Sequence, residues 1–154
     1  MAESSSVISE EIRQAVGKEM TKPITCEIEK GAIRKFADSV GDPNPYWNNE
    51  EYAKKKYGGV VAPPVFMVSL WPPDLQQKLI ELESPLKRVL NGSNEYEFIK
   101  PVKAGDVITV TSKLINAVEK DGKTGKMLFL TAEIYYTNQD GEVVAKEKIT
   151  GIRY

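Results

Sequence analysis

The chain has 154 residues, enough for one domain with a substantial hydrophobic core and too few for two ordinary domains. Its net charge is −1 and it has no basic block, which argues against nucleic acid or an anionic membrane surface as a partner. We therefore expect a single domain over residues 1–154 and allow for disorder in residues 1–10. The apolar runs are short and broken by proline, and the first residues lack the features of a signal peptide, so the predicted location is cytoplasmic.

The chain contains no histidine, which excludes histidine-dependent catalytic triads, histidine general bases and histidine metal sites. It has one cysteine, Cys26, which excludes an internal disulfide and a cysteine zinc site. Cys26 lies in an apolar–polar alternation and is interpreted as a small strand residue. We expect neither a metal nor a cofactor.

The first half of the chain predicts short helices around one strand. In chain order we expect a helix over 9–16, a strand over 22–29, a helix from about 31 to 40, a helix capped by Asn48 and ending near 57–59, and an apolar helix that begins at Pro64, is interrupted at Pro72-Pro73 and resumes over 74–82.

The second half predicts strands, because apolar and polar residues alternate and turn residues separate the runs. The strands are expected over 87–100, 107–118, 127–137 and 142–154, with hairpin loops at 120–125 and 138–141. Residues 101–106 form a turn, in which Gly105 and Asp106 are given no chemical role. The fold class is therefore α+β, a largely antiparallel sheet with an apolar helix to cover one face.

The most distinctive stretch joins the helix over 31–40 to a short acidic loop. Ile33, Phe36, Ala37 and Val40 share one helical face, and Gly41 is expected to end the helix in a left-handed conformation. Two prolines then restrict the backbone around Asp42 and Asn44. Such a loop aims a catalytic carboxylate as well as it builds a tight turn.

Four segments of the sequence, in order, resemble one family. They are Gly-Asp-Pro-Asn-Pro at 41–45, Val-Ala-Pro-Pro at 61–64 opening an apolar helix, residues 98–106, and residues 136–145. Together they resemble the MaoC-like hydratase/dehydratase family, and within it the MaoC dehydratase N-terminal, or FAS1-like dehydratase, branch. The resemblance covers roughly residues 12–154.

This resemblance implies a hot-dog fold, in which the sheet wraps a central helix over residues 64–81. It also implies pairing as homodimers, heterodimers or tandem domains, and addition or removal of water on acyl thioesters of coenzyme A or acyl carrier protein. Active members use an aspartate and a histidine in the motif Gly-Asp-x-Asn-Pro-aliphatic-His. On this chain the aspartate is Asp42, the asparagine is Asn44, the aliphatic position is Tyr46 and the histidine position is Trp47. The implied substrate pocket adds Pro63, Val65 and Phe66.

The chain departs from the motif at the histidine. Hydration of an enoyl thioester needs a group that takes a proton from water and another that protonates the α-carbon. The indole of Trp47 is only a hydrogen-bond donor and is no base near neutral pH. In active relatives, a backbone N–H at the start of the central helix also donates a hydrogen bond to the thioester oxygen. Here that position is occupied by Pro63-Pro64, and proline has no backbone N–H.

Several residues keep two interpretations. Asp42 is either a surviving general base or a turn carboxylate, and Asn44 is favoured as a turn residue. Tyr46 and Trp47 either line or plug an acyl tunnel or pack beneath the loop. The lysines at 54–56 either meet coenzyme A phosphates across a dimer or form a solvated helix face, which is favoured.

Three functional hypotheses follow. The preferred one is a non-catalytic subunit that shapes the pocket of an (R)-specific enoyl-CoA hydratase or 3-hydroxyacyl thioester dehydratase, with a histidine-bearing MaoC-like chain as its partner. The second is a homodimeric hydratase or thioesterase that uses Asp42, with Glu50 or Tyr46 as a helper. The third is an acyl-CoA-binding module without chemistry.

Overall fold

The computed structural model describes residues 6–154, and the chain folds into helices packed on one face of a single sheet. The helices are α1 Glu10–Ala15, α2 Lys30–Ser39, α3 Pro45–Asn48, α4 Glu50–Tyr57, a 3₁₀ helix Pro64–Leu70, and α5 Leu75–Glu81. The strands are β1 Ile24–Glu27, β2 Val89–Phe98, β3 Val107–Gly122, β4 Gly125–Thr137 and β5 Val143–Arg153. This confirms the α+β class.

The sheet is antiparallel throughout, with the strand order β1-β3-β4-β5-β2. The long strands β3, β4 and β5 are joined by hairpins, whereas β2 precedes them in sequence and pairs only with β5 at the far edge. The residues that precede α1 contact β3. The backbone N–H of Val7 donates to the Glu119 carboxylate at 2.8 Å, and the Val7 side chain is buried.

Strand alternation defines an inner face of the sheet, which is buried under the helices. On β4 the inner residues are Leu128, Leu130, Ala132, Ile134 and Tyr136, each less than 3% exposed. Their partners on β5 are Arg153, Gly151, Ile149, Glu147 and Ala145. The helical layer covers this face mainly with Ile12, Ile33, Phe66, Met67, Leu75 and Leu79. The inner positions of β5 therefore carry two charged groups and one glycine amid hydrocarbon.

The apolar helix expected from Pro64 begins there, but as a 3₁₀ helix rather than an α-helix, and it is not continuous to residue 81. Pro63 and Pro64 supply no N–H at its start, and Pro72 forces Trp71 into an extended conformation at its end. Only seven residues remain between these limits, and the short three-residue hydrogen bonds of a 3₁₀ helix suit so short a segment. The predicted interruption at the proline pair is confirmed.

Two further predictions need correction. Asn49, not Asn48, caps α4, because residues 45–48 form a helical turn of their own and shift the cap by one residue. The hairpin loop expected over 120–125 shrinks to residues 123 and 124, because β3 and β4 remain paired as far as Gly122 and Gly125. The second hairpin, at residues 138–141, has the predicted position, and Gly141 takes a φ of 79° there.

Candidate functional site

The loop that follows α2 begins with a Schellman motif. The N–H of Gly41 donates to the Asp38 carbonyl at 3.2 Å and that of Asp42 to the Ala37 carbonyl at 2.9 Å, while Gly41 has a φ of 68°. This pattern satisfies the last carbonyls of the helix and needs a residue that tolerates positive φ. Gly41 therefore ends α2 as expected and fixes where Asp42 lies.

The two polar side chains of the loop are engaged with its own backbone. Asp42 Oδ1 accepts a hydrogen bond from the N–H of Asn44 at 3.1 Å. Asn44 Oδ1 in turn accepts from the N–H of Tyr46 at 3.0 Å and so caps α3, which starts at Pro45. Both side chains are half-buried. Each of them holds the shape of the loop, which is the contact expected of turn residues.

Trp47 turns toward the protein interior and packs against the buried core. Its Nε1 is fully enclosed and has no hydrogen-bond partner, and it is the only such side-chain atom in residues 6–154. An unmade hydrogen bond of this kind costs about 1–3 kcal/mol. The position that the motif assigns to a histidine is thus filled by a bulky donor that meets no acceptor among residues 6–154.

Tyr46, one residue earlier, faces α4 instead. Its ring lies 5.0 Å from that of Tyr52 and 5.2 Å from that of Tyr57, centroid to centroid. Lys56 Nζ lies over the Tyr46 and Tyr57 rings, and a hydrogen bond with Tyr57 raises the pKa of this lysine. Lys56, Lys54 and Lys55 are all exposed on the outer face of α4.

The remaining predicted pocket residues diverge in space. Pro63 is buried and lines a cavity of about 230 Å³ together with Met67 and Phe98. Phe66 is buried and packs edge-to-face on Phe36, with ring centroids 5.5 Å apart. Val65 is 48% exposed. The cavity at Pro63 is not lined by the loop at 42–47, although the N–H of Val61 donates to the Tyr46 carbonyl at 3.1 Å.

A buried polar cluster on the inner face was not anticipated. Glu147 is 1% exposed and accepts hydrogen bonds from Tyr136 Oη at 3.0 Å and Asn94 Nδ2 at 2.9 Å. Burial, followed by the Glu147 carboxylate, raises the pKa of Tyr136, and the same two causes raise the pKa of Tyr96 to about 12. The cluster holds a carboxylate under the helical layer without a cationic partner.

A signal for Glu147 exists in the sequence. Lys146 and Lys148 occupy the outward phase of β5, so the residue between them must point inward with Ala145 and Ile149. The pairing of that carboxylate with Asn94 depends on the contact between β2 and β5, which local pattern does not specify.

Comparison with known proteins identifies the family. The FAS1-like dehydratase domain region matches residues 14–147. A UPF0336 protein of Thermobifida fusca is 32% identical over 128 residues, which cover 81% of this chain and 83% of that protein. The chain belongs to the FAS1-like dehydratase branch of the MaoC-like family, as the motifs predicted.

A more distant relative is the probable enoyl-CoA hydratase alpha subunit of Thermomonospora curvata, 27% identical over 139 residues. The match covers 79% of this chain and 43% of that protein.

Solved structures establish the fold. One chain of the ChsH1–ChsH2 complex of Mycobacterium tuberculosis superposes with a TM-score of 0.74 at 21% identity, covering 87% of this chain and 83% of that one. A chain of the C-terminally truncated HadBC complex, a (3R)-hydroxyacyl-ACP dehydratase of the same organism, gives 0.72 at 24% identity, covering 90% and 96%. The chain has the hot-dog fold.

Within residues 6–154, no group of three His, Cys, Asp or Glu side chains is placed to hold a metal ion. Within the same residues no helix has the length and hydropathy needed to span a bilayer.

Proposed function

We propose that this chain is the non-catalytic, pocket-shaping subunit of an (R)-specific enoyl-thioester hydratase or 3-hydroxyacyl thioester dehydratase. A histidine-bearing MaoC-like chain completes the enzyme and supplies the acid–base pair, and the substrate is an acyl thioester of coenzyme A or acyl carrier protein. The observation that carries the proposal is Trp47, a half-buried tryptophan with an enclosed Nε1 at the position of the motif histidine, in a chain without histidine.

The environment of the loop supports a structural role. Asp42 and Asn44 each use a side-chain oxygen to accept a hydrogen bond from the loop backbone. The motif histidine, which is the base, is replaced by the indole of Trp47, which can only donate a hydrogen bond. Adding water across an enoyl thioester requires a proton acceptor near the β-carbon. Trp47 is not one, and this supports a loop without the proton-transfer chemistry of the motif histidine.

The edge strand β2 supports the presence of a partner. All ten of its residues are exposed, and it borders the sheet on one side only. Tyr96 and Phe98 stack there in parallel, with ring centroids 6.0 Å apart, and are 37% and 43% exposed. An open strand edge beside exposed aromatic rings is a surface that proteins cover, because it otherwise promotes aggregation.

The comparisons support the same assignment at the level of the family. Two of the structures with this fold are complexes of different chains, and one distant relative is described as an alpha subunit of an enoyl-CoA hydratase. A chain that lacks the catalytic histidine is accounted for most simply as one part of such an assembly.

The proposal is tested by association. The purified chain is mixed with a histidine-bearing MaoC-like chain from the same genome, and the mass of the product is measured by size-exclusion chromatography with light scattering. We expect a heteromer that is lost in Phe98→Lys, because a charge would replace an aromatic ring at the interface. Val16→Lys is the matched control, since Val16 is 38% exposed and lies on α1, away from β2. Equal association of both variants, or none by the wild-type chain, would overturn the assignment.

A further inference from the structure

A second cavity, of about 270 Å³, lies between α5 and the strands β5 and β2. Its apolar lining includes Trp71, Leu79, Ile80, Leu130 and Ile149. Its polar lining consists of Arg153, Asn91 and Asn94 of the edge strand, Gln76 of α5 and Thr150 of β5. None of the motif residues at 42–47 lines it. The cavity thus joins a hydrocarbon wall to a cationic side chain.

Gly151 lines this cavity and, because it has no side chain, leaves space in it. It stands on the inner face of β5 between Leu130 of β4 and Asn91 of β2 in register. Its φ is not positive, and a Cβ added to it would meet no atom within 4 Å. Neither backbone conformation nor packing therefore requires glycine here. Glycine inside a strand lowers stability and marks a bulge, a bend or the close approach of a ligand or of another backbone. The register of β2 shifts opposite Gly151, between Asn91 and Ser93, yet the space above Gly151 is open.

Arg153 is two residues further along the same face, 3% exposed. Its Nε donates to the Leu86 carbonyl at 2.9 Å and its Nη1 to the Leu82 carbonyl at 2.6 Å. These bonds hold the segment after α5 but bring no negative charge. Burial lowers the pKa of the guanidinium, yet arginine remains charged in proteins.

The guanidinium has no carboxylate partner in the described part of the chain, where the ion pairs involve Arg13, Lys30, Lys100 and Lys126. Nη2 has no hydrogen-bond partner there either. It is not among the fully enclosed unpartnered atoms, so open space reaches it. A buried charge of this kind is costly unless an anion meets it.

Glu147 does not serve as that anion. It lies on the same face of β5, but Ile149 and Gly151 separate it from Arg153 by roughly 20 Å of extended strand. Its two oxygens are bound to Tyr136 and Asn94. The guanidinium therefore remains available to a ligand that enters the cavity.

We propose that this cavity binds an aliphatic chain that ends in a carboxylate. The hydrocarbon lies over Gly151, between Leu79 and Leu130, and the carboxylate is met by Arg153. If the chain has the function proposed above, on which this step rests, the bound aliphatic chain is the far end of the acyl group. The preferred thioesters then carry a carboxylate at the end of the acyl chain.

Binding is tested by isothermal titration of the purified chain with octanoate and with octan-1-ol, which has the same chain length and no charge. We expect octanoate to bind more tightly by about tenfold or more, the effect of one charged hydrogen bond. Arg153→Gln should remove that preference, so that octanoate and octan-1-ol bind with equal affinity. Gly151→Leu should weaken both ligands by about tenfold or more, because its side chain fills the cavity.

Gly151→Leu keeps the guanidinium and its two carbonyl contacts, so it serves even if Arg153→Gln fails to fold. Circular dichroism of each variant confirms the fold before titration. Equal binding of octanoate and octan-1-ol by the wild-type chain would overturn the site, and so would octanoate binding that persists unchanged in folded Gly151→Leu.

The link to substrate is tested with the heteromer, by comparing hydration of dec-2-enoyl-CoA and of the same chain ending in a carboxylate. We expect kcat/KM to favour the carboxylate by about tenfold, with the preference lost in Arg153→Gln. Equal rates would overturn the substrate assignment while leaving the proposed function intact. Failure of both substrates, with octanoate binding retained, would instead remove the proposed function and keep the site.

Discussion

The loop at residues 41–47 and the cavity beside β5 use their polar groups in opposite ways. In the loop, the oxygens of Asp42 and Asn44 accept hydrogen bonds from nearby backbone N–H groups. In the cavity, Arg153 keeps a guanidinium nitrogen without a partner in the part of the chain that the structure describes, and Gly151 leaves space. The motif side chains thus hold the loop backbone, whereas the cavity keeps an open polar group within residues 6–154.

The largest effect that distinguishes the two regions is expected at Trp47. Trp47→Ala should lower the free energy of unfolding by about 3 kcal/mol, since the ring packs against the core. Trp47→Phe keeps most of the packing and removes the unpartnered Nε1, so it should lie near the wild-type value. Urea unfolding measures both; an alanine variant as stable as wild type would show that the indole does not fill the loop.

The polar cluster beside the cavity is expected to contribute somewhat less. Tyr136→Phe removes a donor from the buried Glu147 carboxylate and should cost about 2 kcal/mol. Tyr135→Phe is the control, because Tyr135 is next to it on the outer face of β4, and a change below about 0.5 kcal/mol is expected. If the two variants lost equal stability in urea unfolding, the hydrogen bond to Glu147 would not explain the effect.

The loop and the cavity each contain a glycine, and the two glycines are expected to respond differently to replacement by alanine. Gly41→Ala should lose about 1 kcal/mol, because an alanine would have to adopt a φ of 68°. Gly151→Ala has an ordinary φ and open space, so it should be neutral or stabilising by up to about 1 kcal/mol. Thermal unfolding of the pair measures the difference, and destabilisation at Gly151 would mean that the glycine serves packing rather than a ligand.

The smallest effect concerns alkaline pH. Burial and Glu147 raise the pKa of Tyr96 from its ordinary value of 10.0 to about 12. The protonated phenol is therefore favoured by folding, and its contribution is present below pH 10 and lost as the pH rises toward 12. Tyr96→Phe should flatten the decline of stability across this interval. An unchanged pH dependence in urea unfolding would contradict this.

Local signals were enough for much of the fold. The end of α2 at Gly41, the helix that starts near residue 9 and the hairpin at 138–141 were all predicted from the residues themselves, because each depends on a few neighbouring atoms. The 3₁₀ segment was not, because proline pairs at both of its ends act together. The prediction that Asn48 caps α4 was wrong by one residue, because the sequence pattern does not show that residues 45–48 form a helical turn.

The site was less predictable than the fold. The motif located Asp42 and Trp47 in the sequence, but it could not tell that Asp42 bonds the N–H of Asn44 or that Tyr46 faces α4. Glu147 and Arg153 were recoverable from strand alternation as inward charges. Whether such charges find partners depends on register and on the segment after α5, and these contacts join distant parts of the chain.

The central claim, that the chain does not itself catalyse hydration, is tested most directly by an enoyl-CoA assay. Loss of the conjugated thioester absorbance is followed with the purified chain alone, with its Asp42→Ala variant, and with the histidine-bearing partner added. We predict no turnover by the chain alone and turnover once the partner is present. The Asp42→Ala variant should behave in the same way, inactive alone and active with the partner. Turnover by the chain alone that disappears in Asp42→Ala would contradict the account and make Asp42 the base of a self-sufficient hydratase.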